Sequence, residues 1–427
     1  MSFEWETPEE ITWDKPPPLE EEPVEPPQSG RRWPYILLAI AVVAGTTVLI
    51  IARELNQRVA LAETEARLAV ISSYSVIQQA AAANDAELFV GFLSGRDEEW
   101  ALAQEEIIRE GLFLNRDGLG LDHLDRANPA ETAAEVTFSP DLQSAELTVT
   151  QTYAVDIGNG LTESVQLQQT AVYRLGPNRW LLAPPEPGFW GETQTSSGRY
   201  LTLTYPERDA EIGRRLALDL DRKLIEMCAQ LNGLNCPPTL RVIVDLTTDP
   251  SSLLALREGQ IPTGRNLNLP TPTLMGVPLD ERGYRSLQRG YTRWVISAVI
   301  SDLVDWVCCD HELIYQAMMD AAWRQLGLKA TPPPAYDQVR EDASELSNLA
   351  NLWTISPAST QAEDWQNSYA LIEFLTTVVG VPIPQLQREL GDMTYQNWLL
   401  NVMGEAYPSL NDLEQEWQRF LDDRASS

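Results

Sequence analysis

"SAELTVTQTYAVDI", residues 144–157, and "TESVQLQQTAVYRL", residues 162–175, alternate polar and apolar side chains. A period of two puts one set on one face of an extended strand and the other set on the opposite face. "GNG", residues 158–160, separates the runs and reads as a turn. "AEVTFSP" (134–140) and "NRWLLAP" (178–184) flank them with the same alternation. The four together read as an antiparallel meander. Upstream, "DEEWALAQEEIIREGLF" (97–113) has Trp100, Ala103, Ile107 and Ile108 at helical spacing. Helices followed by a meander predict an α+β domain after the first fifty residues.

The chain has 427 residues, which is long for a single core. Its formal net charge is −31. A surface this acidic repels phosphate backbones, so the expectation is no nucleic-acid partner.

Residues 33–52, "WPYILLAIAVVAGTTVLIIA", are an uncharged run of 20. That is the length of a transmembrane helix, with Trp33 and Tyr35 at one interface. Residues before it, and no clean cleavage site after it, predict a retained single-pass anchor in the cell membrane. Arg31 and Arg32 on one side nearly balance Arg53 and Arg58 on the other. The adjacent pair favours a tail inside and the C-terminal domains extracytoplasmic. Residues 1–32 are rich in Pro and Glu and read as a disordered tail. Past the membrane, a run of Ala, Leu, Glu and Arg predicts a stalk helix.

The order of elements over 53–190, closing with "YRLGPNRWLL", resembles the NTF2-like family, a curved sheet wrapped by N-terminal helices. Such folds often hold a small ligand in the cone, and many serve as interaction modules. His123, alone among acids in "LGLDHLDR", reads as a surface histidine, since an isolated imidazole lacks metal-binding partners. Residues 191–198 read as a linker. Beyond it, "RYLTLTYPE" predicts a strand and "RDAEIGRRLALDLDRKLIEMCAQL" a long helix. "TLRVIVDL" and "TPTLMGVP" predict further strands, and the rest reads as helical. Four cysteines, Cys228, Cys236, Cys308 and Cys309, permit bridges in an oxidising space. Cys228 and Cys236 can pair across "CAQLNGLNC" or remain buried thiols.

The region 199–427 resembles the peptidase MA-like (gluzincin) metallopeptidases. The likeness rests on the opening strand and helix and on the tail "WQNSYALIEFLTTVVGVPIPQLQRELGDMTYQNWLLNVMGEAYPSLNDLEQEWQRFL". It implies a small sheet with a mostly helical C-terminal half. The full fold expectation is therefore α+β: one transmembrane helix, an NTF2-like domain, then a gluzincin-like domain.

The family's zinc signature is HExxH, in which histidines at i and i+4 share a helix face and grip one ion. "DWVCCDHELIYQAMMDAAW", residues 305–323, supplies His311 as first ligand and Glu312 as general base. Tyr315 stands at the second ligand position. A neutral phenol, with a pKa of about 10, is a poor zinc ligand. Glu341 and Glu345 lie at the distance of a third ligand, but no glycine follows either. Another alignment makes "YTRWVISAVISDLV" the motif helix, and it contains no histidine. The chain has only two histidines, and His123 lies in the other domain. A two-histidine, one-glutamate site is thus excluded within this domain. Read as structure, the helix has Asp310 as N-cap and a buried stripe of Leu313, Ala317, Met318 and Ala321. Nucleophile elbow, phosphate loop, dinucleotide fingerprint and CxxC pairs are absent from the sequence.

These features predict a membrane-anchored extracytoplasmic pseudopeptidase with no cofactor. It would act as a binding or scaffold module for a protein or peptide partner. The alternatives are a metal-dependent hydrolase using His311 and Glu312 in a non-standard site, and a structural spacer.

Overall fold

Alternation in 144–157 and 162–175 becomes two fifteen-residue strands, β3 (Ser144–Gly158) and β4 (Leu161–Leu175). They pair antiparallel along their length, with Leu147 opposite Ala171, Val149 opposite Gln169 and Tyr153 opposite Val165. The computed structural model describes residues 33–124, 134–158, 161–257, 262–306, 312–328, 334–340, 362–391, 393, 395–403, 407 and 409–426. The tail expected over 1–32 lies outside them, as do Cys308, Cys309, Asp310, His311, Glu341 and Glu345.

The protein is α+β, with an N-terminal apolar helix and a curled antiparallel sheet. Two compact units divide between Ala62 and Glu63. In the first, Ile36, Leu38, Ile40, Val42 and Val43 are all exposed. They belong to the Trp33–Ala82 helix, which is long and apolar enough to cross a membrane.

The second unit runs from Glu63 to the C-terminus. It begins inside the same helix, where Val70, Tyr74 and Ile77 are buried at i, i+4 and i+7. They pack with the inward residues of the sheet, Ala145, Leu147, Val149 and Tyr173, and with Ile108 of the Glu98–Arg109 helix. Three more short strands complete this side of the sheet. β1 (Asp122–His123) and β2 (Ala134–Phe138) lie along β3, and β5 (Trp180–Leu182) lies along β4. His123 is therefore not in a surface loop. It is half-buried in β1, edge-on to the Tyr153 ring at 5.6 Å.

A second sheet has the order β6-β7-β8-β9. β6 (Thr193–Ser197) is antiparallel to β7 (Leu201–Pro206), while β8 (Val242–Thr247) and β9 (Asn266–Pro270) continue parallel. Residues 191–198, expected as a linker, thus contain an edge strand. The signal was missed because "TQTSS" buries neither face, so no apolar period marks it. The Ala210–Gln230 helix buries Leu216, Leu220, Leu224 and Met227 beside this sheet. At the strand start, the Asp221 carboxylate accepts backbone N–H bonds from Arg199, Tyr200 and Leu201 at 2.9, 2.7 and 3.0 Å.

The strand expected over 271–278 is mostly absent. Pro272–Met275 is a helical turn, with proline at its first position where no N–H is needed. Only β10 (Val277–Pro278) is extended, and it joins the first sheet by pairing with β4 at Gln168 and Leu167. The two sheets consequently share one core. Leu119, Leu121, Tyr153 and Leu167 pack in the same cluster as Leu203, Met275, Leu287 and Tyr291. At this seam, the Glu281–Leu303 helix passes so close that a Cβ on Gly290 would lie 2.7 Å from the Leu119 Cβ. Trp294 Nε1 and Arg293 donate across it to the carbonyls of Gly118 and Leu119, each at 2.6 Å.

Candidate functional site

Glu312 opens the Glu312–Gln325 helix. The helix has no single buried stripe of the kind expected. Leu313, Ile314, Tyr315, Ala317, Met318 and Met319 are all buried, while Ala321 is only partly so. Surrounded helices lack the polar face that an amphipathic pattern requires.

Tyr315, at the second ligand position of the peptidase motif, is 3% exposed. Its ring lies 4.8 Å from that of Trp306. Its hydroxyl bonds Ser301 Oγ on the preceding helix. The Ser301 hydroxyl itself donates to the Ser297 carbonyl at 2.7 Å, so the phenol is the donor in the pair. Trp323 Nε1 donates to Ser297 Oγ at 3.1 Å and extends the network. Burial pushes the Tyr315 phenol above its ordinary range. Metal ligation would need the anionic form, which this environment disfavours. Among the described residues, no group of three His, Cys, Asp or Glu side chains is placed to hold a metal ion.

Cys228 and Cys236 are joined by a disulfide, with Cα atoms 5.8 Å apart. It closes the segment after the Ala210–Gln230 helix, remote in sequence from Tyr315.

A second feature lies at the seam of the two sheets. A cavity of about 120 Å³ is walled by Trp100, Ile107, Phe113, Leu253 and Leu274, with Gln104, Arg116, Gln151, Gln169 and Thr273 as polar lining. The amides belong to a closed network. Gln151 Nε2 donates to Tyr74 Oη at 2.9 Å, and Tyr153 Oη donates to Gln151 Oε1 at 2.8 Å. Gln169 Nε2 donates to Tyr153 Oη at 3.1 Å and to the Met275 carbonyl at 2.9 Å. Behind Thr273 sits Asp209, 2% exposed, which accepts from the hydroxyls of Thr271 and Thr273.

Among the described residues, Arg116 is the one cation lining this cavity. It is 6% exposed. Its hydrogen bonds go to the carbonyls of Leu112, Phe113, Asn115 and Leu274, and Nε has no partner. None of those acceptors carries a net charge. Burial lowers its pKa, while Asp117 and two phenols act in the opposite direction.

No known protein family, curated protein or solved structure matches this chain. The sites above therefore rest on their own geometry.

The sequence places Trp100 and Ile107 on a helix face and marks none of the lining residues as belonging to a cavity. Gln151 and Gln169 carried a signal: both are polar at positions whose strand parity is inward. Arg116, in the loop "LNRDGLG", carried none.

Proposed function

We propose that this chain is a membrane-anchored extracytoplasmic pseudopeptidase, a binding or scaffold module that holds a protein or peptide partner near the membrane and does not hydrolyse it. The observation that carries the reading is the state of Tyr315. The position that would supply the second imidazole is a neutral phenol, buried under Trp306 and committed to Ser301. Turning it outward would leave the Ser301–Ser297 network short of a donor and open a void, at a cost of several kcal/mol. The apolar helix supports the anchor, and a disulfide suits an oxidising extracytoplasmic space.

The test combines metal analysis with a cleavage assay on the purified full chain. The expected result is no stoichiometric metal, no peptide cleavage, and identical behaviour of Glu312→Gln. Cleavage by the natural chain, lost in a folded Glu312→Gln variant, would reverse the proposal, because that carboxylate is the base a metal-bound water requires. Orientation is tested by protease added outside intact cells. It should digest the region beyond residue 62 and spare the N-terminal tail.

A further inference from the structure

We propose that the cavity at the seam of the two sheets binds a small monocarboxylate with a compact apolar body, its carboxylate paired with Arg116. The proposal is independent of the pseudopeptidase reading and goes beyond it.

Three observations converge on this ligand class. The first is charge. A buried guanidinium without a charged hydrogen-bond partner is costly, and carboxylate is the planar acceptor that matches its fork. Arg116 lines the cavity, bonds only neutral carbonyls, and keeps Nε unpartnered. The second is size and polarity. A dry cavity of roughly 150 Å³ accepts benzene, so about 120 Å³ suits an apolar body no larger than that. Trp100, Ile107, Phe113, Leu253 and Leu274 offer it apolar walls. The third concerns what the rest of the lining refuses. The Gln151 and Gln169 amides already have partners within the protein. Asp209 stands directly behind Thr273, adding a negative charge near the floor. A phosphate or dicarboxylate would bring a second charge with no second cation among the described lining residues to receive it. One negative charge and an apolar remainder is the chemistry that fits.

The site also explains a feature of the fold. Its lining comes from both sheets' neighbourhoods: Gln151 and Gln169 from the first, Leu253, Thr273 and Leu274 from the connections of the second. A ligand there would hold the seam together, so binding and unfolding are linked.

Benzoate and hexanoate are the probes, with benzyl alcohol and hexanol as neutral counterparts, on the full chain in detergent micelles. Calorimetry and thermal unfolding are the readouts. Benzoate or hexanoate should bind saturably and raise the Tm, with the neutral counterpart at least about tenfold weaker, the scale of one charge-assisted pair. Arg116→Gln should lose at least about tenfold in carboxylate affinity and leave the alcohol unchanged. Leu274→Trp, at a half-exposed lining position, should fill the cavity and abolish both. If Arg116→Gln does not fold, the acid-to-alcohol ratio in the natural chain decides the role of charge. The proposal fails if no probe binds at millimolar concentration, if the alcohols bind as tightly as the acids, or if Leu274→Trp binds benzoate like the natural chain. No arm reads hydrolysis, so failure here leaves the pseudopeptidase proposal to its own assay.

Discussion

The Tyr315 hydroxyl donates to Ser301 Oγ across two buried helices, and the Ser301 hydroxyl in turn donates to the Ser297 carbonyl. Tyr315→Phe should therefore be mild. It removes a donor but leaves Ser301 bonded to the backbone, for a loss of about 1 kcal/mol in denaturant unfolding. Tyr315→His should cost more, about 2–4 kcal/mol, because a smaller polar ring replaces a phenol packed on Trp306. It creates the i, i+4 pairing of imidazoles with His311, and the expected outcome is weak zinc uptake without hydrolysis. Stoichiometric zinc together with peptide cleavage would contradict the burial argument.

Gly290 marks a tight helix contact at the seam. A methyl there would sit 2.7 Å from the Leu119 Cβ and 3.0 Å from its Cα. Backbone atoms yield less easily than side-chain tips. Gly290→Ala should accordingly lose about 1–3 kcal/mol through overpacking, despite the better helix propensity of alanine. A gain in stability would show that the seam can open.

The disulfide gives a redox prediction. Cys228 and Cys236 are eight residues apart, and cross-linking a loop of that length removes roughly 2.5 kcal/mol of denatured-state entropy. Reductant should lower the unfolding midpoint, and a Cys228→Ser, Cys236→Ser double variant should show the same midpoint with or without it. Equal thiol counts in oxidised and reduced denatured protein would refute the bridge.

Alkaline pH should weaken the fold through its phenols. Burial holds Tyr369 at about 12, against the opposing pull of Arg324, and raises Tyr173, Tyr291 and Tyr315 as well. Unfolded phenols ionise near 10. Between about 10 and 12 the folded chain keeps protons that the unfolded chain has lost, so stability falls as pH rises through that window. Below 10 both states are protonated and the contribution is complete. Tyrosinate absorbance should show a group of phenols silent at pH 11 in native protein and titrating together near 10 in denaturant. Titration of every tyrosine near 10 in the native state would rule this out.

Local periodicity was enough to place the long β3–β4 hairpin, the amphipathic helices and the apolar N-terminal helix, because which face of an element leaves water is written in residues two or four apart. The sequence also permitted the Cys228–Cys236 pair without choosing it over free thiols. Tertiary structure decided the rest. Val277 and Pro278 join the first sheet beside Gln168 and Leu167, partners far away along the chain, so their register is a non-local matter. β6 has no pattern to read because its half-buried face is the polar pair Gln194 and Ser196. Tyr315 could be recognised as a poor ligand from its chemistry alone, but its partner, Ser301, is set by how two helices pack. Arg116 lay unmarked in a loop until folding buried its charge beside a cavity built from the first sheet and the connections of the second. Burial and partnership belong to residues brought together from distant parts of the chain, and no spacing rule along the sequence encodes them.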